Sequence, residues 1–271
     1  MNFTLAAFAD EASPLLDGQI KALKDNGISM LEIRNLDGKN IADITVPEAR
    51  EVRKRLEDEG LSVWSLGSPY GKINVTDDFN GHLDKFKRSI EVCFELNTQH
   101  IRLFSFYDAQ DSFDAVADRL GQFIDAARGS GVILCHENEK GIYGDIAARC
   151  LKIHETFPGI KAIFDPANFV QSGQDTREAW EMLAPYVEYM HIKDALKDGS
   201  VVPAGKGEGN LEYLLKQYRG EVLTIEPHLT VFDGLSSLGG KEKSKVGIYE
   251  YPDSETAFKA AADALKELLT V

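Results

Sequence analysis

Short apolar runs alternate with amphipathic stretches along the whole chain. Strand-like runs bounded by turn residues fall near Thr4 to Phe8, Ser29 to Asn35, Ser62 to Ser68, Ile101 to Phe106, Val132 to Asn138, Ile160 to Pro166, Val187 to Asp194 and Val222 to His228. Between them, helix-like segments are predicted over Leu16 to Asn26, Pro47 to Glu59, Phe79 to Leu96, Phe113 to Ser130, Gly144 to Phe157, Thr176 to Pro185, Leu211 to Arg219 and Ser254 to Leu269. Punctuation agrees with this division: Thr45 and Pro47 open the second helix, Gly60 follows it, and Pro158 and Gly159 follow the fifth. This steady beat of strand and helix predicts an α/β fold, a (β/α)8 TIM barrel, as a single domain over residues 1–271. The connection from Leu229 to Asp253 is the one long loop, and its place after the last strand predicts a lid over the barrel mouth.

Four consecutive strand-like runs carry an acidic or imidazole side chain near their downstream ends: Glu137, Asp165, His191 and Glu226. In a barrel of this kind the chemistry lies at the carboxyl ends of the strands, so residues there call for a functional explanation. Three carboxylates and one imidazole suit a single divalent ion such as Mn²⁺, Mg²⁺, Co²⁺ or Zn²⁺. Strand alternation puts Glu137 on the face of Cys135, His191 with Tyr189 and Lys193, and Glu226 with Thr224 and His228, and it turns His136 away from the mouth. Glu139 has the parity of Glu137 and is the alternative ligand. Near the other strand ends Glu32 and Arg34 share one face, as do Phe104 and Phe106. A metal, a few charges and aromatic walls fit a polyol, which makes Glu32, Arg34 and Phe106 candidate substrate contacts, although Phe8 and Phe106 also fit the core.

Composition narrows the partners. A net charge of −14, with 30 Lys plus Arg against 44 Asp plus Glu, opposes a phosphate backbone, so no nucleic acid is expected. The first residues, MNFTLAAFADEAS, have no basic segment and reach Asp10 and Glu11 early, which reads as a first strand rather than a secretory signal. No apolar stretch approaches the ~20 residues that cross a bilayer, so no membrane partner is expected and the location is read as cytoplasmic. Cys93, Cys135 and Cys150 lack paired spacing and are read as buried free thiols.

The chain resembles the sugar phosphate isomerase/epimerase family of xylose isomerase-like TIM barrels along essentially its whole length. The resemblance is carried by LEIR at Leu31 to Arg34, HEN at His136 to Asn138, FDPAN at Phe164 to Asn168, MHIKD at Met190 to Asp194, GKGEG at Gly205 to Gly209 and IEPH at Ile225 to His228. It implies that Glu137, Asp165, His191 and Glu226 ligate the metal and that Glu137 and Glu226 also act as acid and base. It implies a small-molecule sugar or polyol substrate, with a homo-oligomer as one possible assembly. The chain departs from the ketose epimerase pattern at three places. Asn168 replaces a His three residues after the aspartate, Lys197 replaces an Arg six residues after the histidine, and His228 replaces an aromatic two residues after the last glutamate. Lys193 and Lys206 are the other candidates for the missing cation.

Each of these has a second reading. Asn168 is also turn chemistry, His228 also a rim histidine, and Lys193 also a partner of Glu137 or Asp165 in a metal-free barrel. Ser236, Ser237, Gly239, Gly240, Lys241 and Lys243 form either a phosphate cradle or a polar loop. The expected activity is proton transfer beside a carbonyl, through an enediolate. An inosose-type dehydratase and a non-catalytic metal- and sugar-binding barrel are the alternatives.

Overall fold

The computed structural model describes residues 3–231 and 249–270. Eight strands close into a parallel barrel: β1 (Thr4–Ala7), β2 (Met30–Ile33), β3 (Ser62–Tyr70), β4 (His100–Leu103), β5 (Ile133–Glu137), β6 (Lys161–Phe164), β7 (Val187–Ile192) and β8 (Val222–Ile225). Each pairs with its neighbours in chain order, and β1 closes the ring by pairing Thr4 to Ala7 with Val222 to Ile225. The outer layer holds α1 (Leu16–Asp25), α2 (Val46–Asp58), α3 (Asn80–Glu95), α4 (Phe113–Ala127), α5 (Ala147–Thr156), α6 (Pro166–Gln171), α7 (Thr176–Leu183), α8 (Leu211–Gln217) and α9 (Ser254–Thr270). Thr45 and Glu48 form a capping box on α2, satisfying two backbone N–H groups that the first turn would leave unpaired.

Most of the core lies between barrel and helices, where Leu31, Ile33, Ile101, Leu103 and Leu223 meet Leu23, Leu56, Phe86, Leu120 and Phe258. The lower barrel interior is a separate apolar layer of Ala6, Cys135, Ile163, Tyr189 and Val222, with Trp64 packed against it. That layer closes the bottom of the barrel, so polar side chains collect towards the carboxyl ends above it. The three cysteines are free and buried. Among the described residues no helix is long and apolar enough to cross a membrane.

Three features differ from the periodicity. The run read as a strand to Pro166 breaks at Asp165, whose side chain accepts the Asn168 N–H and caps α6. Two short hairpins, Asn35–Leu36 with Lys39–Asn40 and Asp194–Ala195 with Val201–Val202, lie outside the barrel sheet. Seven of the eight strands are shorter than the apolar runs, whereas β3 runs on past Ser68 to Tyr70. Most of the expected lid, and all of the candidate phosphate-binding residues from Ser236 to Lys243, lie outside the described residues.

Candidate metal centre at the barrel mouth

Glu137 ends β5, and Asp165, His191 and Glu226 stand at the ends of β6, β7 and β8. All four are buried, and each offers a ligand atom within 4.8 Å of the others. Their positions depend on local hydrogen bonds as well as on the strands. Asn138 exchanges two bonds of 2.9 Å with the Asp165 backbone, its Nδ2 donating to the carbonyl and its Oδ1 accepting the N–H. An amide side chain thus continues the β5–β6 ladder one step further and sets Glu137 beside Asp165. Asn168 donates to the Asn138 carbonyl at 2.9 Å and stands 3.4 Å from Glu137 Oε1, so its turn role and its place in the site coexist.

The two oxygens of each carboxylate face different neighbours. Asp165 commits Oδ1 to the α6 cap, while buried Oδ2 has no aligned hydrogen-bond donor and faces the Lys193 ammonium at 2.8 Å. Glu137 turns Oε1 to His191 Nδ1 at 3.0 Å and accepts from Arg102 at Oε2, also at 3.0 Å. Glu226 turns Oε2 to Lys193 at 2.9 Å and Oε1 to Arg34 at 3.3 Å. His191 presents Nδ1 to the cluster, and its Nε2 lies 3.2 Å from Glu32 Oε2.

This donor set fits a divalent ion. An ion with bonds of ~2.0–2.3 Å would hold four such atoms within about 4.5 Å of one another, so small side-chain movements suffice. The carboxylate behind the imidazole is the arrangement that fixes a metal-bound histidine, and Asp165 Oδ2 is already turned to a cation.

The electrostatics are those of a crowded acidic chamber held by built-in cations. Burial drives the Asp165 pKa up to about 7 against the pull of Lys193. Burial would lower that of His191, but Glu137 and Glu32 override it and raise it to about 10. Glu226 stays ionised well below the usual range: burial opposes this, and Lys193, His228, His191 and Arg34 outweigh it.

Several sequence-predicted residues converge here and others do not. Arg34, Lys193 and His228 join the four ligand candidates; His228, with φ 44°, brings Nε2 to 3.4 Å from Glu226 Oε1. Glu32 lies one layer deeper than a substrate contact would, held by His191 and by the Tyr189 hydroxyl at 2.8 Å. Phe106 is a correction: its φ of 67° breaks the strand alternation and packs the ring against Phe79 and Phe123, leaving Phe104 beside the charges. Phe8 is the converse, meeting His191 edge-on at 5.1 Å under the site. Glu139 is drawn away by Lys72 at 3.0 Å, and its pKa falls to about 2 because Lys72 and Lys140 outweigh burial. Lys197 and Lys206 are exposed. His136 faces outward to Ser105 at 3.0 Å.

Asp10, Glu11, Arg102 and Asn138 were not singled out as site residues by the sequence reading. Asp10 and Glu11 registered there only as early charges, and Arg102 carried no motif. The signal for Arg102 was its place in the run Ile101 to Phe106, where a charge must find a buried partner. Asp194 explains the glycine motif. Its carboxylate accepts the N–H groups of Gly205, Gly207 and Gly209 at 2.8 to 3.0 Å, and a Cβ on Gly207 would come within 2.4 Å of it.

A family model for xylose isomerase-like TIM barrels matches residues 20–228. The chain belongs to this family. No curated protein sequence matches it significantly. Among solved structures, the xylose isomerase-like barrel is similar to an L-ribulose 3-epimerase (TM-score 0.74, 20% identity, covering 100% of this chain and 95% of the other). It is similar to the IOLI protein with a bound zinc atom (TM-score 0.74, 15% identity, covering 98% of each chain). It is also similar to AsbF, a probable 3-DHS dehydratase from Bacillus anthracis (TM-score 0.74, 14% identity, covering 98% and 99%). At these identities the likeness establishes the fold.

Proposed function

We propose that this xylose isomerase-like barrel is a divalent-metal-dependent isomerase or epimerase of a sugar or sugar derivative, moving a proton beside a carbonyl. The observation that carries the reading is the buried convergence of Glu137, Asp165, His191 and Glu226, with Glu137 and Glu226 on different strands. Those four residues would hold the ion, and when bound it supplies polarisation of the substrate carbonyl and adjacent hydroxyl. An epimerase and a zinc-binding protein among the fold neighbours support the same reading.

Glu137 and Glu226 are the proposed proton-transfer groups. Removal of a proton from carbon by one carboxylate leaves an enediolate. Its return by the other, to the opposite face or to the neighbouring carbon, gives an epimer or an aldose. The Lys193 ammonium, buried beside Asp165 and Glu226, supplies positive charge within the site, near where negative charge would develop on oxygen. Asn168 and His228 offer the neutral polar contacts that a polyol needs.

The test is incubation with a panel of ketoses, aldoses and inososes in D2O with Mg²⁺ or Zn²⁺, followed by NMR. Deuterium at a carbon beside the carbonyl, with formation of an isomer, supports the proposal. Loss of water would assign a dehydratase instead, and neither change with any substrate that binds would assign a binding protein.

A further inference from the structure

Glu226 divides its oxygens between two cation positions. Oε2 faces Lys193 and His191, on the side of the candidate metal centre. Oε1 faces Arg34 at 3.3 Å and His228 Nε2 at 3.4 Å. Around Arg34 stands a second group of ligand-type side chains, since Glu11, Glu226 and His228 offer buried atoms all within 4.8 Å of one another. The guanidinium is gripped in this group. Nε and Nη2 each donate to Asp10 at 2.9 Å, Nη2 also meets Glu11 Oε1 at 3.0 Å, and the plane lies 4.5 Å from the Phe8 ring centre. The other oxygen of Glu11 accepts the His228 N–H at 2.6 Å, which ties the end of β8 to the residues after β1.

From this geometry we propose that Arg34 stands in for a second divalent cation, at a position that shares Glu226 with the first centre, and that it keeps this position closed to metal. Two carboxylates and an imidazole form a competent donor set for a borderline ion, and a carboxylate with one oxygen on each side is how paired ions are bridged. What closes the position is the chemistry of its occupant. A guanidinium does not lose its proton, and here a two-point bond to Asp10 and the Phe8 ring hold it in place, so an incoming ion meets a fixed positive charge beside Glu11 and Glu226. Lys193 differs, because an ammonium on a flexible stem can withdraw from Asp165 and Glu226. The first position is thereby left open to metal and the second is not.

Metal in the first centre rests on the proposed function, whereas the closed second position does not depend on it. The experiment is a binding titration with Mn²⁺, by calorimetry and equilibrium dialysis, on wild type, Arg34→Met and Arg34→Met/Asp10→Asn. The double variant removes a buried negative charge along with the positive one and leaves Glu11, Glu226 and His228 intact, and circular dichroism verifies its fold. Each folded Arg34 variant is expected to bind one equivalent more than wild type, and adding Glu11→Gln is expected to abolish that gain. No gain in the folded double variant overturns the inference, as does a wild-type protein whose second equivalent is lost in Glu11→Gln. A wild type that binds no Mn²⁺ overturns the first centre alone, because the gain on removing Arg34 is still read by difference.

Discussion

Glu32 lies directly behind His191, its Oε2 3.2 Å from Nε2, with neither side chain exposed. Burial would raise the Glu32 pKa, but the charge and hydrogen bond of His191, with Arg102, hold it below the ordinary carboxylate value. An ionised carboxylate there keeps a proton on Nε2 and turns the lone pair of Nδ1 to the cluster. Glu32→Gln is therefore expected to weaken divalent-ion binding by ~10- to 100-fold, the usual cost of losing such support. Calorimetric titration measures it, and an unchanged affinity would show that Glu32 serves only the packing beneath.

The purified protein is expected to bind about one tightly held divalent ion in the first centre, since three carboxylates and an imidazole converge there with ligand atoms within 4.8 Å of one another. His191→Ala and Asp165→Ala should each release it. Elemental analysis after gel filtration decides the matter: a full equivalent retained by His191→Ala means that the ligands are elsewhere.

Lys193 bridges Asp165 Oδ2 and Glu226 Oε2, two atoms that the ion would take. Lys193→Met removes that competitor, and metal affinity should rise by ~10-fold or more, as expected for freeing two carboxylate oxygens of a charged partner. Turnover should fall in the same variant. Tighter metal with unaltered turnover would confine Lys193 to charge balance.

Ion uptake should release protons. In the metal-free protein Glu137 and Glu32 overcome burial and raise His191 from 6.5 to about 10, so at pH 8 the ion must displace a proton from it. About one proton per ion is expected at that pH, read from calorimetry in buffers of different ionisation enthalpy. Affinity should weaken as pH falls, more steeply below about 7, where Asp165 takes up a proton of its own. Stability of the metal-free protein runs the opposite way with pH. The imidazolium contribution is complete below 6.5 and is lost as pH rises through about 10, so the melting temperature of the metal-free protein should decline across that window. Binding without proton release at pH 8 would mean that His191 is neutral beforehand.

Glu137→Gln and Glu226→Gln should each lower turnover by at least ~10²-fold at full metal occupancy, the low end for loss of an acid/base group. One variant should still exchange the substrate proton with D2O while making no product, and the other should do so from the product. Near-wild-type turnover in both loaded variants would reduce the glutamates to ligands.

The barrel was legible in the chain because strand and helix periods are local properties. Eight apolar runs with helices between them have few ways to bury their faces, and parallel closure brings consecutive strand ends to one mouth. Glu137, Asp165, His191 and Glu226 were legible for the same reason, each lying near the downstream end of its own run. Contacts between side chains from distant strands carried no local period. Arg34 and Glu226 are far apart in sequence, as are Glu32 and His191, and these pairs meet only when the ring closes, whereas Arg102 and Glu137 meet when β4 pairs with β5. Phe106 left the pocket face because one left-handed residue reverses the parity that an alternating pattern assumes. Asp165 stopped a strand because its carboxylate caps the next helix with one oxygen and leaves the other to the site. Sequence therefore determined which groups arrive at the mouth. Tertiary structure decided which oxygen of each faces a cation, because that choice depends on buried charges that must be paired across the barrel.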